Sequence, residues 1–209
     1  TSMCLYEDWA ENWKKYFKPV NIGKRLVIRP AWEPKTDHPG RTELVLEPGM
    51  AFGTGTHETT RLCLELLSKY VDGNSEILDV GCGSGILAVA GVLLGAKKAF
   101  GVDIDELSVK TALENAKLNR VDSKTQFICG DLTDKVTGTF NVVTANIVAD
   151  IIIKLNEDIL KFLKKDGIYI MSGIIDTREA DVLKNLEGKF EVVEILREHG
   201  WTAIAAKSL

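Results

Sequence analysis

The segment ILDVGCGSG, residues 77–85, decides the fold of this chain, because it joins a short apolar strand to a glycine-rich turn and a helix. Glycine allows both the sharp turn of such a loop and the close approach of a ligand to the main chain. The spacing is GxGxG, and Ile86 stands where a dinucleotide-binding GxGxxG motif would have its third glycine. We therefore predict that Gly81, Gly83 and Gly85 line a ligand site that differs from an ordinary dinucleotide site.

Strands and helices alternate along most of the chain. Apolar patterns predict strands at 25–29, 43–46, 77–80, 98–102, 126–129, 140–145, 168–171, 190–196 and 201–206, and helices at 57–70, 84–94, 106–118, 148–163 and 178–186. From residue 76 onwards this alternation predicts an α/β fold, with a seven-stranded, mostly parallel sheet and helices on both faces. Only Glu198-His199-Gly200 joins the last two strands, so they must form a C-terminal antiparallel hairpin.

Composition limits the chain to one well-buried domain of ordinary size, since it has 209 residues, of which 45% are hydrophobic. The formal net charge of -4 gives no basic surplus of the kind that drives binding to a nucleic-acid backbone. No stretch approaches the roughly 20 apolar residues that span a bilayer. The four cysteines are scattered along the chain, which predicts reduced thiols in a cytosolic protein; they are Cys4, Cys63, Cys82 and Cys129. The three histidines form no metal-binding pattern, which predicts no catalytic metal; they are His38, His57 and His199.

The first 46 residues are predicted to form a linker helix and two leading strands, ahead of a ligand-binding domain over residues 47–209. Trp9, Trp13 and Tyr16 fall at positions i, i+4 and i+7 of the segment 6–17, so they share one face of an amphipathic helix. That helix either packs on the domain or belongs to a linker that leads to a further domain.

Aspartates follow the next two strands, and ligands of open α/β sheets bind at that edge. Asp103 lies 22 positions after Gly81, where an ionised carboxylate can accept hydrogen bonds from both hydroxyls of a ribose. Asp105 is instead predicted to cap the following helix. Asp131 follows the strand 126–129, and either it accepts a hydrogen bond from an adenine amino group, with Leu132 against the ring, or it is an ordinary turn residue.

Asn146 directly follows the strand 140–145, within the segment TANIV. Amino-methyltransferases have at this place the first residue of an Asn-Pro-Pro-aromatic loop, which holds the nucleophilic nitrogen in line with a methyl donor. This chain lacks both prolines and the aromatic residue. The loop alone therefore leaves a second interpretation open, in which Asn146 simply caps the next helix.

The loop FGTGTHETT, residues 52–60, has two glycines and four threonines and precedes the sheet, so it could close over a ligand. Thr60, on the first turn of the following helix, is a candidate contact to a cofactor carboxylate, and Phe52 is a further candidate contact. Thr56 is the predicted N-cap. His57 is either a base or a structural residue, and Cys82 is either a thiol of lowered pKa or a small filler.

Three segments carry a resemblance to a known family: EPGMAFGTGTHETTRLCLELL (47–67), ILDVGCGSGILAVAGVLLGAKKAFGVDID (77–105) and VVTANIVADI (142–151). Together with the leading segment DWAENWKKYFKPVNIGKRLVIRP (8–30), they closely resemble the ribosomal protein L11 methyltransferases. The resemblance implies a Rossmann-like class I methyltransferase fold. The sheet of that fold ends in the antiparallel hairpin that nicotinamide-binding Rossmann domains normally lack.

The resemblance also implies an activity, namely S-adenosyl-L-methionine-dependent methylation of lysine and N-terminal amines on one large-subunit ribosomal protein, with S-adenosyl-L-homocysteine as product. By matching motif positions, Thr60, Gly81, Asp103 and Asn146 would bind the cofactor, and Asn146 would be the catalytic residue. Family members carry a small N-terminal domain that grips the ribosomal protein, whereas this chain begins at the linker. We expect a cytoplasmic monomer that makes no direct contact with nucleic acid or membrane.

Three alternatives stay open. A methyltransferase of the same fold could act on a small molecule or on another protein. A nicotinamide-dependent oxidoreductase shares the glycine turn, but the GxGxG spacing and the terminal hairpin are evidence against it. A module that holds the cofactor without turnover is the third, because the recognition domain of the family lies outside this chain.

Overall fold

The structure is a computed structural model that describes residues 18–47, 55 and 57–209. The predicted helix that contains Trp9, Trp13 and Tyr16 lies outside the described residues, as do Phe52 and Thr56. Of the helices that the structure describes, none combines the length and the apolar character that crossing a membrane requires.

Ten strands form two sheets in the described part of the chain. They are β1 (Val20–Ile22), β2 (Leu26–Pro30), β3 (Thr42–Leu46), β4 (Glu76–Val80), β5 (Lys98–Asp103), β6 (Thr125–Cys129), β7 (Phe140–Asn146), β8 (Leu163–Ile175), β9 (Phe190–Glu198) and β10 (Trp201–Ser208). The larger sheet has the order β6-β5-β4-β7-β8-β10-β9. Strands β4 to β8 pair in parallel, whereas β10 pairs antiparallel with both β8 and β9. The predicted seven-stranded, mostly parallel sheet with a C-terminal antiparallel hairpin is therefore confirmed.

Five α-helices of the described chain cover the larger sheet: α1 (Glu58–Tyr70), α2 (Ile86–Leu93), α3 (Glu106–Leu118), α4 (Ala149–Leu155) and α5 (Glu179–Leu186). One face of the sheet buries a core with α1, α2 and α3, to which Leu66 and Val89 contribute. The other face buries a second core with α4 and α5, which includes Ile152 and Val182. A parallel sheet needs this cover on both faces, because its strands are apolar on both sides.

The small sheet of β1, β2 and β3 packs on the same core as α1, α2 and α3. Leu26 and Leu44 are fully buried in that core. The Arg25 guanidinium donates hydrogen bonds to the carbonyls of Ser68 and Leu94 at 2.6 and 2.8 Å, and so satisfies carbonyls at the C-terminal ends of α1 and α2. The sequence predicts β2 and β3 but not β1, whose three residues are too few for an alternating pattern.

Two local predictions are wrong. Residues 148–163 are not one helix, because α4 ends at Leu155, a 3₁₀ turn covers Ile159–Phe162 and β8 begins at once. The buried Asn156 follows α4 and donates a hydrogen bond from Nδ2 to Asn185 Oδ1 at 2.9 Å, and the sequence Asn-Glu-Asp favours a turn there. The N-cap of α1 is His57 rather than Thr56, since the His57 side chain accepts the backbone N–H of Thr59.

Candidate active site

A cavity of about 790 Å³ opens at the carboxyl ends of β4, β5, β6 and β7. Strand β4 has β5 on one side and β7 on the other, so the cavity lies where the strand order reverses. Open parallel sheets bind ligands at this position, and the volume suits a ligand of cofactor size. The cavity brings together five of the predicted site residues, which are Gly81, Gly83, Asp103, Asp131 and Asn146.

The glycine turn leads from β4 into α2 at the floor of this cavity. Gly81, Gly83 and Gly85 have φ angles of 69°, 52° and 74°, which residues with a Cβ atom rarely adopt. A Cβ atom on Gly81 would lie 2.6 Å from Ile147 Cγ2. A Cβ atom on Gly85 would lie 2.7 Å from Ala112 Cβ, so Gly85 serves the packing of the turn on α3 and does not line the cavity.

Asp103 ends β5 beside the glycine turn. Its Oδ2 accepts the backbone N–H of Gly83 at 2.8 Å, and its Oδ1 accepts that of Asp105 at 3.0 Å. Because a carboxylate oxygen has two lone pairs, each oxygen keeps one acceptor position free for a ligand. Asp105 caps α3 as predicted, since its carboxylate accepts the backbone N–H groups of Leu107 and Ser108.

Asp131 follows β6 and lines the cavity together with Gly130 and Leu132. The residue is exposed, and its backbone carbonyl accepts the N–H of Asp134 at 3.0 Å, as in a turn. Leu132 has a φ of 45°, which is uncommon for a residue with a side chain. The chain thus turns sharply at the mouth of the cavity and leaves the Asp131 carboxylate accessible to a ligand.

Asn146 ends β7, and its two amide atoms differ in their surroundings. The Nδ2 group donates a hydrogen bond to the Thr60 hydroxyl at 3.3 Å, whereas the buried Oδ1 has no partner among the described residues. A buried acceptor left without a donor costs about 1–3 kcal/mol, so Oδ1 is suited to a ligand donor. Asn146 is not the helix cap of the second interpretation, because the N-cap of α4 is Val148. Thr60 is fully buried and supports Asn146 without lining the cavity.

His57 and Trp201 close one side of the cavity. The Nδ1 atom of His57 accepts the backbone N–H of Thr59 at 3.3 Å and lies 2.9 Å from the Thr59 hydroxyl. The imidazole packs against the Trp201 indole in a T-shaped arrangement, with ring centroids 5.1 Å apart. These contacts support the structural interpretation of His57, since one ring nitrogen has a hydrogen-bond partner and the ring packs against Trp201.

Two buried titratable groups lie around the glycine turn. Asp79 accepts hydrogen bonds from the Thr144 hydroxyl at 2.8 Å and the Ala88 backbone N–H at 3.3 Å. Burial raises the pKa of Asp79 to about 7, although these hydrogen bonds oppose the shift. Burial also raises the pKa of the Cys82 thiol and so favours the neutral thiol over a reactive thiolate. Cys82 is a small filler, because its Cβ lies close to Gly101 and leaves little space there.

Comparison with known proteins shows which family the chain belongs to. A family profile described as "Ribosomal protein L11 methyltransferase (PrmA)" matches residues 2–208. The chain belongs to the ribosomal protein L11 methyltransferase family. A ribosomal protein L11 methyltransferase from Clostridium botulinum (strain Eklund 17B / Type B) is 51% identical over 204 residues, which cover 96% of this chain. The chain spans 64% of the length of that relative.

Solved structures agree with this assignment. The crystal structure of a ribosomal protein L11 methylase from Lactobacillus delbrueckii subsp. bulgaricus has a TM-score of 0.86 and 32% sequence identity, and the match covers 92% of this chain and 99% of that one. An RNA methyltransferase from Salinibacter ruber, in complex with S-adenosyl-L-homocysteine, has a TM-score of 0.57 and 23% identity, with 70% and 87% coverage. At that identity the second structure supports the fold alone. The predicted resemblance to the L11 methyltransferase family is confirmed.

Sequence reasoning missed several residues that line the cavity of this family member. Gly173 in β8 has a φ of 83°, and a Cβ atom there would lie 2.3 Å from the Ile147 carbonyl oxygen. It therefore fixes the loop that follows Asn146, and a glycine near the end of a buried strand is a signal that could have identified it. Trp201 has no such signal, because only the return of the hairpin brings it to the cavity. The other lining residues that sequence reasoning missed are Thr59, Val102, Ile104, Ser108, Gly130, Ile147, Val148, Ile151 and Lys154.

Proposed function

We propose that this chain is the catalytic part of an S-adenosyl-L-methionine-dependent methyltransferase that acts on lysine and N-terminal amines of a large-subunit ribosomal protein. One observation carries the proposal: a single cavity combines the Asp103 carboxylate, which keeps two acceptor positions, with the buried Asn146 Oδ1, which no described residue contacts by a hydrogen bond. Family membership supports the substrate. Residues 1–46 would be a linker helix and leading strands, and residues 47–209 the cofactor-binding domain.

The cavity fits S-adenosyl-L-methionine on chemical grounds. The two remaining acceptor positions of Asp103 suit the two hydroxyls of a ribose, and Asp131 suits an adenine amino group. Gly81 and Gly83 offer main chain that a ligand can approach closely. The bound S-adenosyl-L-homocysteine of the Salinibacter ruber enzyme is a ligand of this kind in a similar fold. The cofactor, when bound, supplies an already activated methyl group.

Asn146 would position the amine that receives the methyl group. Its Oδ1 can accept a hydrogen bond from the N–H of that amine, while Thr60 fixes the other side of the amide. Holding two reactants in line can contribute about 7–11 kcal/mol to catalysis. Val148, Ile151 and Trp201 supply apolar surface around the amine and reduce the access of water.

The amine must lose a proton before it can accept a methyl group. A lysine amine has an ordinary pKa of about 10.4, and desolvation in the cavity would lower that pKa. Of the two acids that line the described cavity, Asp103 ends β5 and Asp131 follows β6, so neither lies on β7. No carboxylate of the described lining therefore lies on the strand of Asn146, and we propose that water takes the proton.

The proposed setting is a cytosolic monomer that meets a ribosomal protein without direct contacts to nucleic acid or membrane. Free thiols support a reducing compartment, since the described cysteines Cys63, Cys82 and Cys129 form no disulfide.

Two measurements on the purified chain test the proposal. S-adenosyl-L-homocysteine should raise the melting temperature of the chain, and NAD should not, because only a ligand that binds the folded state stabilises it. Labelled S-adenosyl-L-methionine should transfer its methyl group to purified ribosomal protein L11. Stabilisation by NAD and not by S-adenosyl-L-homocysteine would overturn the proposed identity of the cofactor. Transfer to a different protein or a small molecule, but not to L11, would overturn the substrate.

A further inference from the structure

One side of α4, together with its N-cap residue, faces the mouth of the cavity. Val148, Ile151 and Lys154 follow each other at intervals of three residues, and all three line the cavity. Val148 is 63% exposed and Ile151 37%, although both side chains are apolar. We call these three residues the α4 rim. The rim continues directly from the Asn146 loop, so it lies on the acceptor side of the cavity.

Lys154 gives this rim a positive charge. It is the only lysine or arginine in the described lining of the cavity. No described carboxylate forms an ion pair with Lys154, since Asp150, one turn earlier, pairs instead with Arg178 at 2.6 Å. The acids of the described cavity lie elsewhere, since Asp103 ends β5 and Asp131 follows β6. The acceptor side thus combines two exposed apolar side chains with the positive charge of Lys154, which forms no ion pair with a described residue.

We propose that the α4 rim binds the acceptor segment of the substrate and selects an amine that has apolar neighbours and a nearby carboxylate. This inference rests on the proposed function and deepens it. Apolar neighbours of the amine would bury against Val148 and Ile151, since exposed apolar patches beside a cavity mark interaction surfaces. The carboxylate would pair with Lys154, because complementary charges fix the register of a bound segment.

Helix geometry sets the length of the α4 rim, which runs from Val148, two residues after Asn146, to Lys154. From Val148 to Lys154 the chain advances six positions, which correspond to a rise of about 9 Å in a helix. An extended peptide covers that length in about three residues. The carboxylate should therefore stand about three residues from the acceptor lysine.

Two synthetic peptides test this selection. Each has one lysine between a leucine and a phenylalanine, and the third position on either side of the lysine is glutamate in one peptide and glutamine in the other. We measure kcat/KM for methyl transfer to each peptide. We also measure its binding by fluorescence anisotropy with S-adenosyl-L-homocysteine present. The wild-type chain should prefer the glutamate peptide about threefold in both measurements, as an exposed ion pair permits.

Variants of Lys154 identify the source of the preference. Lys154→Ala should remove it, Lys154→Glu should reverse it, and Lys154→Arg should retain it. Lys117→Ala is the matched control, because Lys117 is an exposed lysine on α3 that does not line the cavity. That control should keep the threefold preference of the wild type.

The two readouts separate this inference from the proposed function. Methyl transfer without a preference between the peptides, or with the same preference in Lys154→Ala, overturns the inference and leaves the proposed function intact. Preferential binding of the glutamate peptide without methyl transfer supports the binding role of the α4 rim and is evidence against the proposed methyltransferase function. If the chain neither binds nor methylates either peptide, both this inference and the proposed function are overturned.

Discussion

Asn146 is the residue whose replacement separates catalysis from cofactor binding. Because its Oδ1 is placed to receive the acceptor amine, Asn146→Ala should lower methyl transfer about a hundredfold, as misplacement of a reacting group does. The Kd of S-adenosyl-L-homocysteine, measured by calorimetry, should stay close to that of the wild type. Asn141→Ala is the matched control, since Asn141 lies at the other end of β7 and accepts the backbone N–H of Glu76 at 3.0 Å. Wild-type turnover in Asn146→Ala would refute the positioning role.

Asp79 makes stability depend on pH. Its carboxyl has a pKa of about 7 in the folded chain and about 3.9 in the unfolded chain, so the folded state holds the proton more tightly. The stability from this proton is fully present below about pH 4 and is lost as the pH rises to about 7. From pH 5 to pH 8 the free energy of unfolding of the wild type should fall by about 3 kcal/mol relative to Asp79→Asn, which does not titrate. Urea unfolding at both pH values measures the difference, and parallel pH profiles would contradict it.

At the scale of elements, the end of β8 sets the position of the loop after β7. Gly173→Ala would bring a Cβ atom to within 2.3 Å of the Ile147 carbonyl oxygen, so the variant should lose both stability and methyl transfer. Gly138→Ala is a matched control, because Gly138 has a similar φ of 87° and nothing within 4 Å of the added atom. Backbone strain of about 1 kcal/mol is common to both variants. Only Gly173→Ala should also lower turnover, and equal turnover in the two variants would show that the loop tolerates the displacement.

Local signals predict the elements that carry strong patterns. The boundaries of α3 are predicted to the residue, because Asp105 is a strong N-cap and the apolar positions repeat at helical spacing. The stretch after α4 is predicted wrongly, since the burial of Asn156 and its bond to Asn185 are tertiary contacts that the sequence pattern does not contain. β1 is missed because its partner strand β2, rather than its own three residues, stabilises it.

Across the whole molecule, the site residues at the ends of the parallel strands are predictable from the sequence. Those that reach the cavity only because a distant strand packs into the sheet are not. Gly81, Asp103 and Asn146 end neighbouring parallel strands or follow them directly, and such ends meet at one edge of the sheet. Trp201 enters the cavity only because β10 inserts between β8 and β9. Thr60 was predicted to touch the cofactor, but in the structure it is buried behind Asn146. Its contact with a ligand remains a prediction.

A crystal structure of the chain with S-adenosyl-L-homocysteine would show whether the cavity is the cofactor site. We expect density in the cavity above Gly81 and Gly83, with both ribose hydroxyls bound to the Asp103 carboxylate and the sulfur atom on the Asn146 side. Density at any other surface, or a nucleoside that leaves Asp103 uncontacted, would refute the proposed cofactor site.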